Sequence, residues 1–201
     1  MTLPLTALFG VMHAAFTQAA PAPAPSPLFA AFKAACFDLD STDGVAPYAA
    51  IAPAAKAAGW TEVARADADP RVAGILDKGR QAVKEAEPDG TYSDQIFRHS
   101  FDGRTVWLIT SRFVAKSGIW GNGCRAYDLD MPAAPPREVI DGWVGSAPTG
   151  VQANGSATKR LWEPWQTGVS LEITYVPRDH PLGTSYGIQG LVLVSQSIGG
   201  F

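Results

Sequence analysis

The chain has 201 residues, a formal net charge of -3 and no cluster of Lys or Arg, which removes the electrostatic footprint of a nucleic-acid binder and of a polybasic membrane patch. Charged residues make up 17%, below the roughly 25% of ordinary soluble proteins, while 46% hydrophobic residues and six Trp suit a well-filled globule rather than disorder. About 180 residues remain once an N-terminal signal is set aside, enough for one domain that buries roughly 70% of its unfolded surface.

Residues 1 to 27 hold no Asp, Glu, Lys or Arg, and Leu3 to Phe16 is an apolar stretch too short to span a bilayer. Small residues follow at Thr17 and Ala19, then a Pro/Ala tract begins at Pro21. This order predicts a secretory signal over residues 1–19, cleaved after Ala19, because a cut after Ala20 would place Pro21 against the peptidase. The n-region lacks Lys and Arg, so an uncleaved apolar anchor or a misassigned start codon is the alternative. Residues 20–27 read as an extended Pro/Ala-rich spacer, and residues 28–201 as a single α+β domain. No later segment is apolar enough to span a membrane after signal cleavage.

Two cysteines, Cys36 and Cys124, in an exported chain invite one disulfide, with two separate buried thiols as the alternative. The bridge would close a loop of about ninety residues, to which the chain-entropy model assigns about 4 to 5 kcal/mol. With His99 and His180, these cysteines show none of the short spacings of a zinc site, so neither a metal nor another cofactor is expected.

Ser26 and Pro27 open a first helix that places Phe29, Phe32 and Cys36 on one face. A second carries Tyr48, Ile51, Ala55 and Ala58, is interrupted or restarted at Pro53 and stops at Gly59, where Trp60 folds back over its last turn. Asp69-Pro70 starts a third, striped by Val72, Leu76, Gly79 and Val83 and ending before Pro88. From Thr91 the period becomes extended. Asp102-Gly103 predicts a two-residue hairpin pairing Phe101 with Arg104, His99 with Val106 and Phe97 with Leu108. Val106 to Ile109 is apolar on both faces and so belongs in the middle of a sheet.

Cys124, Ala126 and Tyr127 mark another strand, Pro135-Pro136 opens a short helix running to Gly145, and Ser146 to Lys159 reads as a loop. Val169 to Tyr175 alternates as a half-wet strand, and Leu191 to Val194 pairs with it across a loop from Pro177 to Thr184. The sum is a mainly antiparallel sheet of about five to six strands covered on one face by helices, a two-layer α+β domain. Helix followed by strands occurs twice, without a repeat visible in the residues themselves.

Gly183-Thr184-Ser185-Tyr186-Gly187 has the form of a nucleophile elbow, but no acid or histidine follows Ser185, and the context is not strand-turn-helix. Its other reading is a glycine-flanked strand start. His180 sits in loop surface, His99 among the sheet aromatics, and Gly121-Asn122-Gly123 leads into a strand rather than a helix N-terminus, which excludes a phosphate cradle. Asn154-Gly155-Ser156 has the form of a glycosylation acceptor, of little meaning in a bacterial host. No catalytic residue is therefore assigned. Trp162, Glu163 and Trp165 flank Pro164, which bars the segment from a central strand, and Trp120 can join them as a ligand or partner surface. The alternative is a set of large aromatics capping an open sheet face.

The signal, the spacer, Cys36 and the segment Trp120-Gly-Asn-Gly-Cys-Arg125 resemble the layout of small, uncharacterised, Ala- and Pro-rich exported proteins with one cysteine pair found in GC-rich Gram-negative bacteria. The resemblance implies a periplasmic or secreted location and supplies no catalytic residues. The expected function is a small binding or interaction module for an unidentified protein or small-molecule partner. A small serine- or histidine-dependent hydrolase using Ser185 or His180, and a structural envelope protein, are the alternatives.

Overall fold

The computed structural model describes residues 26–36, 45–166 and 168–201. The expected signal peptide and all but the end of the spacer lie outside the described residues. Helix α1 (Pro27–Cys36) buries Phe29, Phe32 and Cys36, the spacing of three and four that defines one helical face. Helix α2 (Val45–Ala57) runs through Pro53 and ends in a left-handed residue at Gly59, φ +88°. The Gly59 N–H donates to the Lys56 carbonyl at 3.1 Å and the Trp60 N–H to Ala55 at 3.0 Å, the paired bonds of a Schellman ending. Trp60 is buried as a result, and its Nε1–H donates to the Ala31 carbonyl of α1 at 3.4 Å.

Among the described residues eight strands form one sheet in the order β1 (Thr61–Val63), β2 (Thr91–Phe101), β3 (Arg104–Val114), β4 (Trp120–Asp128), β8 (Gly190–Gly199), β7 (Val169–Val176), β6 (Ala157–Gln166) and β5 (Gly150–Asn154). Every neighbouring pair is antiparallel. The hairpin register at Asp102-Gly103 matches the expectation pair for pair, with both turn residues at positive φ as a type I′ turn requires. The strand count exceeds the expected five to six because the edge strands carry no pattern. β1 has three residues, and β5 lies within the expected Ser146 to Lys159 loop, exposed along nearly its whole length, so neither shows an alternation of buried and wet positions.

The sheet is also covered on both faces rather than one. Phe97, Leu108, Cys124, Leu193 and Leu171 lie under α1, α2 and α4 (Arg137–Val144). On the opposite face Ile96, Trp107, Ile109 and Tyr127 pack against Val72 and Leu76 of α3 (Pro70–Ala86). The doubly apolar run of β3 demanded this, since each face needs its own cover. Cys36 and Cys124 are bonded, with Cα atoms 5.6 Å apart, and the bridge ties α1 to the middle of the sheet.

The first turn of α3 is held by Asp69, whose Oδ1 accepts from the Arg71 N–H at 2.8 Å. The Arg71 guanidinium then spans Asp69 and Asp130, at 2.7 and 3.0 Å, joining the helix start to the segment after β4. Its hydrogen bonds hold both carboxyls below their ordinary range. Groups depressed by folding add stability above the unfolded carboxyl value of about 4 and lose it as pH falls through the lowered folded value. Thermal melts taken from neutral to acid pH should therefore fall more steeply below about pH 4 in the wild type than in Arg71→Gln. Parallel acid limbs would show that this triad carries no linkage.

Candidate functional site

The segment from Gly121 to Arg125 lies in β4, where alternate residues point to opposite faces of the sheet. Trp120, Asn122 and Cys124 face α1 and α2, and Gly121, Gly123 and Arg125 face the side that carries α3. Two successive glycines on one face leave a strip of bare backbone. Gly121 lies between Phe113 of β3 and Ile198 of β8, and Gly123 between Ser111 and Gln196. Helix α3 reaches only part of this face, and its Ile75, Gly79 and Val83 make a wall beside the strip. The result is a groove of about 310 Å³, at the small end of ligand sites.

Arg125 lies along the floor. Its guanidinium covers Gly123 so closely that a Cβ there would sit 2.9 Å from Cζ, so glycine is needed for the side chain to lie flat. Nη1 donates to the Ser111 hydroxyl at 2.9 Å. Among the described residues no carboxylate pairs with Arg125, in contrast to Arg80 on the α3 wall, which binds both oxygens of Asp94 at 2.7 Å. The local charge count leaves one cation uncompensated. Arg80 also stands 5.9 Å over the ring of Tyr92, whose hydroxyl is pushed up by burial and further by the Asp94 carboxylate. Burial raises the Tyr127 hydroxyl as well.

The chain matches no family model, curated protein or solved structure.

The tryptophans of the expected recognition surface do not gather in one place. Trp162 is 1% exposed, with its Nε1–H donating to the Ser146 carbonyl at 3.0 Å, and it belongs to the core under α4. Its side chain shares a face with Leu171 across the ladder, and that face is the covered one. Pro164 does lie within β6, but in the stretch where the register shifts between Trp162 and Gln166, so its missing N–H breaks no ladder pair. Trp165 is partly buried against the same core, and Glu163 is exposed. Trp120 is buried three strand spacings from Trp162 and displaced along β4 from the row through Cys124, roughly 20 Å away, with the Arg112 guanidinium 5.6 Å over its ring.

Ser185 is exposed within α5 (Pro181–Tyr186), a short helix where a loop and strand start were expected. The helix starts because Pro181 follows an unusual cap: His180 Nδ1 accepts from the Leu182 N–H at 3.2 Å. His180 Nε2 then donates to the Asn154 carbonyl at 2.9 Å, so both ring nitrogens are engaged in the neutral tautomer. No hydrogen bond joins Ser185 to a histidine among the described residues. His99 stacks on Phe101 at 4.3 Å and meets the edge of Trp60. None of these residues lines the groove. Sequence reasoning missed Arg125, although the signal was present: Gly-x-Gly-x-Arg at strand period clears one face and sets a cation at the end of the clearing.

Proposed function

We propose that this is an exported ligand-binding module whose site is the groove between α3 and the strip of β4 backbone. The observation that carries the reading is Arg125, a charge held on the floor of an apolar-walled groove without a carboxylate partner among the described residues. A half-buried cation of this kind is costly unless something answers it. Export is supported by the Cys36–Cys124 bridge, since such bonds persist outside the reducing cytosol. The charge-free N-terminus supports a periplasmic or secreted destination. Met1 retained in a soluble cytosolic fraction of the host, by intact mass, would remove that half of the reading.

Gly121 offers a direct test of the groove. A Cβ there meets nothing closer than the Ser197 carbonyl at 3.9 Å, and its φ is not positive, so a side chain enters open space without strain. Gly121→Leu should fill the groove between Phe113 and Ile198 while keeping or raising stability, because glycine inside a strand costs about 0.5 to 1 kcal/mol. Amide shifts in the presence of small acids and amides should centre on Ser111, Gly121, Gly123 and Arg125 in the wild type and vanish in Gly121→Leu. Shifts centred instead on Glu163 and Trp165 would move the site elsewhere.

A further inference from the structure

The groove constrains the chemistry of what enters it. Its floor presents one guanidinium, of which only Nη1 is engaged, by a hydroxyl, so the remaining N–H groups are available to a planar acceptor. The nearby Arg80 and Asp94 neutralise each other, which leaves a balance of one positive charge. Asp94 shares a sheet row with Ser111 and Gly123, so a second negative charge on a ligand would meet its carboxylate rather than another cation. Beside the polar Tyr92, Ser111 and Gln196, the lining is largely apolar: Phe113 and Val83 are partly buried, and Ile198 on the rim is 58% exposed, one of few large apolar side chains so open among the described residues. The bare backbone at Gly121 lets a flat or slender body lie directly on the sheet between Phe113 and Ile198.

Resting on the binding reading above, we infer that the groove takes a small monocarboxylate with an apolar body, its carboxylate on Arg125 and its body against Phe113, Val83 and Ile198. A bidentate guanidinium–carboxylate pair supplies orientation, and covering Ile198 and Phe113 supplies the hydrophobic gain.

The test compares 3-phenylpropionate with 3-phenylpropionamide, octanoate with octanamide, and inorganic phosphate, each titrated into the full chain and followed by amide chemical shifts. The acids should bind at least about tenfold more tightly than their amides, the scale of a charge-assisted hydrogen bond, and phosphate should not compete. Arg125→Gln should erase the difference between acid and amide, and Arg125→Lys should restore part of it, with melting temperatures reported for both. Acid and amide binding equally in the groove would overturn the carboxylate assignment and leave the binding reading standing. Phosphate displacing the acids would overturn it in favour of a small-anion site. No groove shift with any probe would defeat both readings. If Arg125→Gln fails to fold, the acid-to-amide ratio in the wild type, together with its partial retention in Arg125→Lys, still decides.

Discussion

Trp162→Ala lowers the folding free energy by about 3 to 5 kcal/mol, the range for truncating a fully buried large aromatic. The indole is among the largest side chains wholly inside the protein. Its loss also removes the donor to the Ser146 carbonyl, which anchors the chain just after α4. A loss of that size lowers the melting temperature by roughly 6 to 20 °C for a chain of this length. Trp162→Phe separates the contributions, since it restores most of the volume without the N–H. Trp165→Ala, at the margin of the same cluster, should cost clearly less. A melting temperature unchanged by Trp162→Ala would return that residue to the recognition surface from which its burial removes it.

Opening the Cys36–Cys124 bond is the second large effect, with an expected cost of about 2 to 5 kcal/mol. The bond spans 88 positions and constrains a long stretch of unfolded chain. In the folded protein it fastens α1, whose Phe29 and Phe32 rings meet Trp143 of α4 at 4.8 and 6.4 Å. Urea unfolding of the double variant Cys36→Ser/Cys124→Ser should show a lower midpoint, with the strand signal outlasting that of α1 by hydrogen exchange. In exported protein, alkylation without reductant should label neither thiol. Complete labelling of both in unfolded, unreduced protein would show that the pair is not joined.

How much of this was legible depended on whether the chemistry was local. Asp69 before Pro70 and Asp102 before Gly103 set their elements within a few residues, and the cap and the hairpin register followed directly. Helix α5 escaped because its cap is a histidine, outside the usual set of Ser, Thr, Asp and Asn. Trp162 was misplaced for a different reason: Pro164 announces a break in pairing, and only the tertiary register shows that the break falls after the tryptophan has already turned inward. The groove was hidden because glycines read as turns when they stand together. Here they stand two apart on a strand, and what they contribute is absence of bulk on one face, which no hydrophobic pattern records.

The strand order carries a consequence for how the chain comes to be folded. Read inward from its two edges, the sheet runs 1-2-3-4 and 5-6-7-8, and β8 against β4 is the seam where the halves meet. Until residues 190–199 have left the ribosome, β4 has no neighbour on that side and β7 none on the other, so the two half-sheets remain separate. Such late, long-range closure is slow by nature. Under the proposal of export, a keystone strand at residues 190–199 would be an advantage, because it would keep the molecule pliable until threading is done.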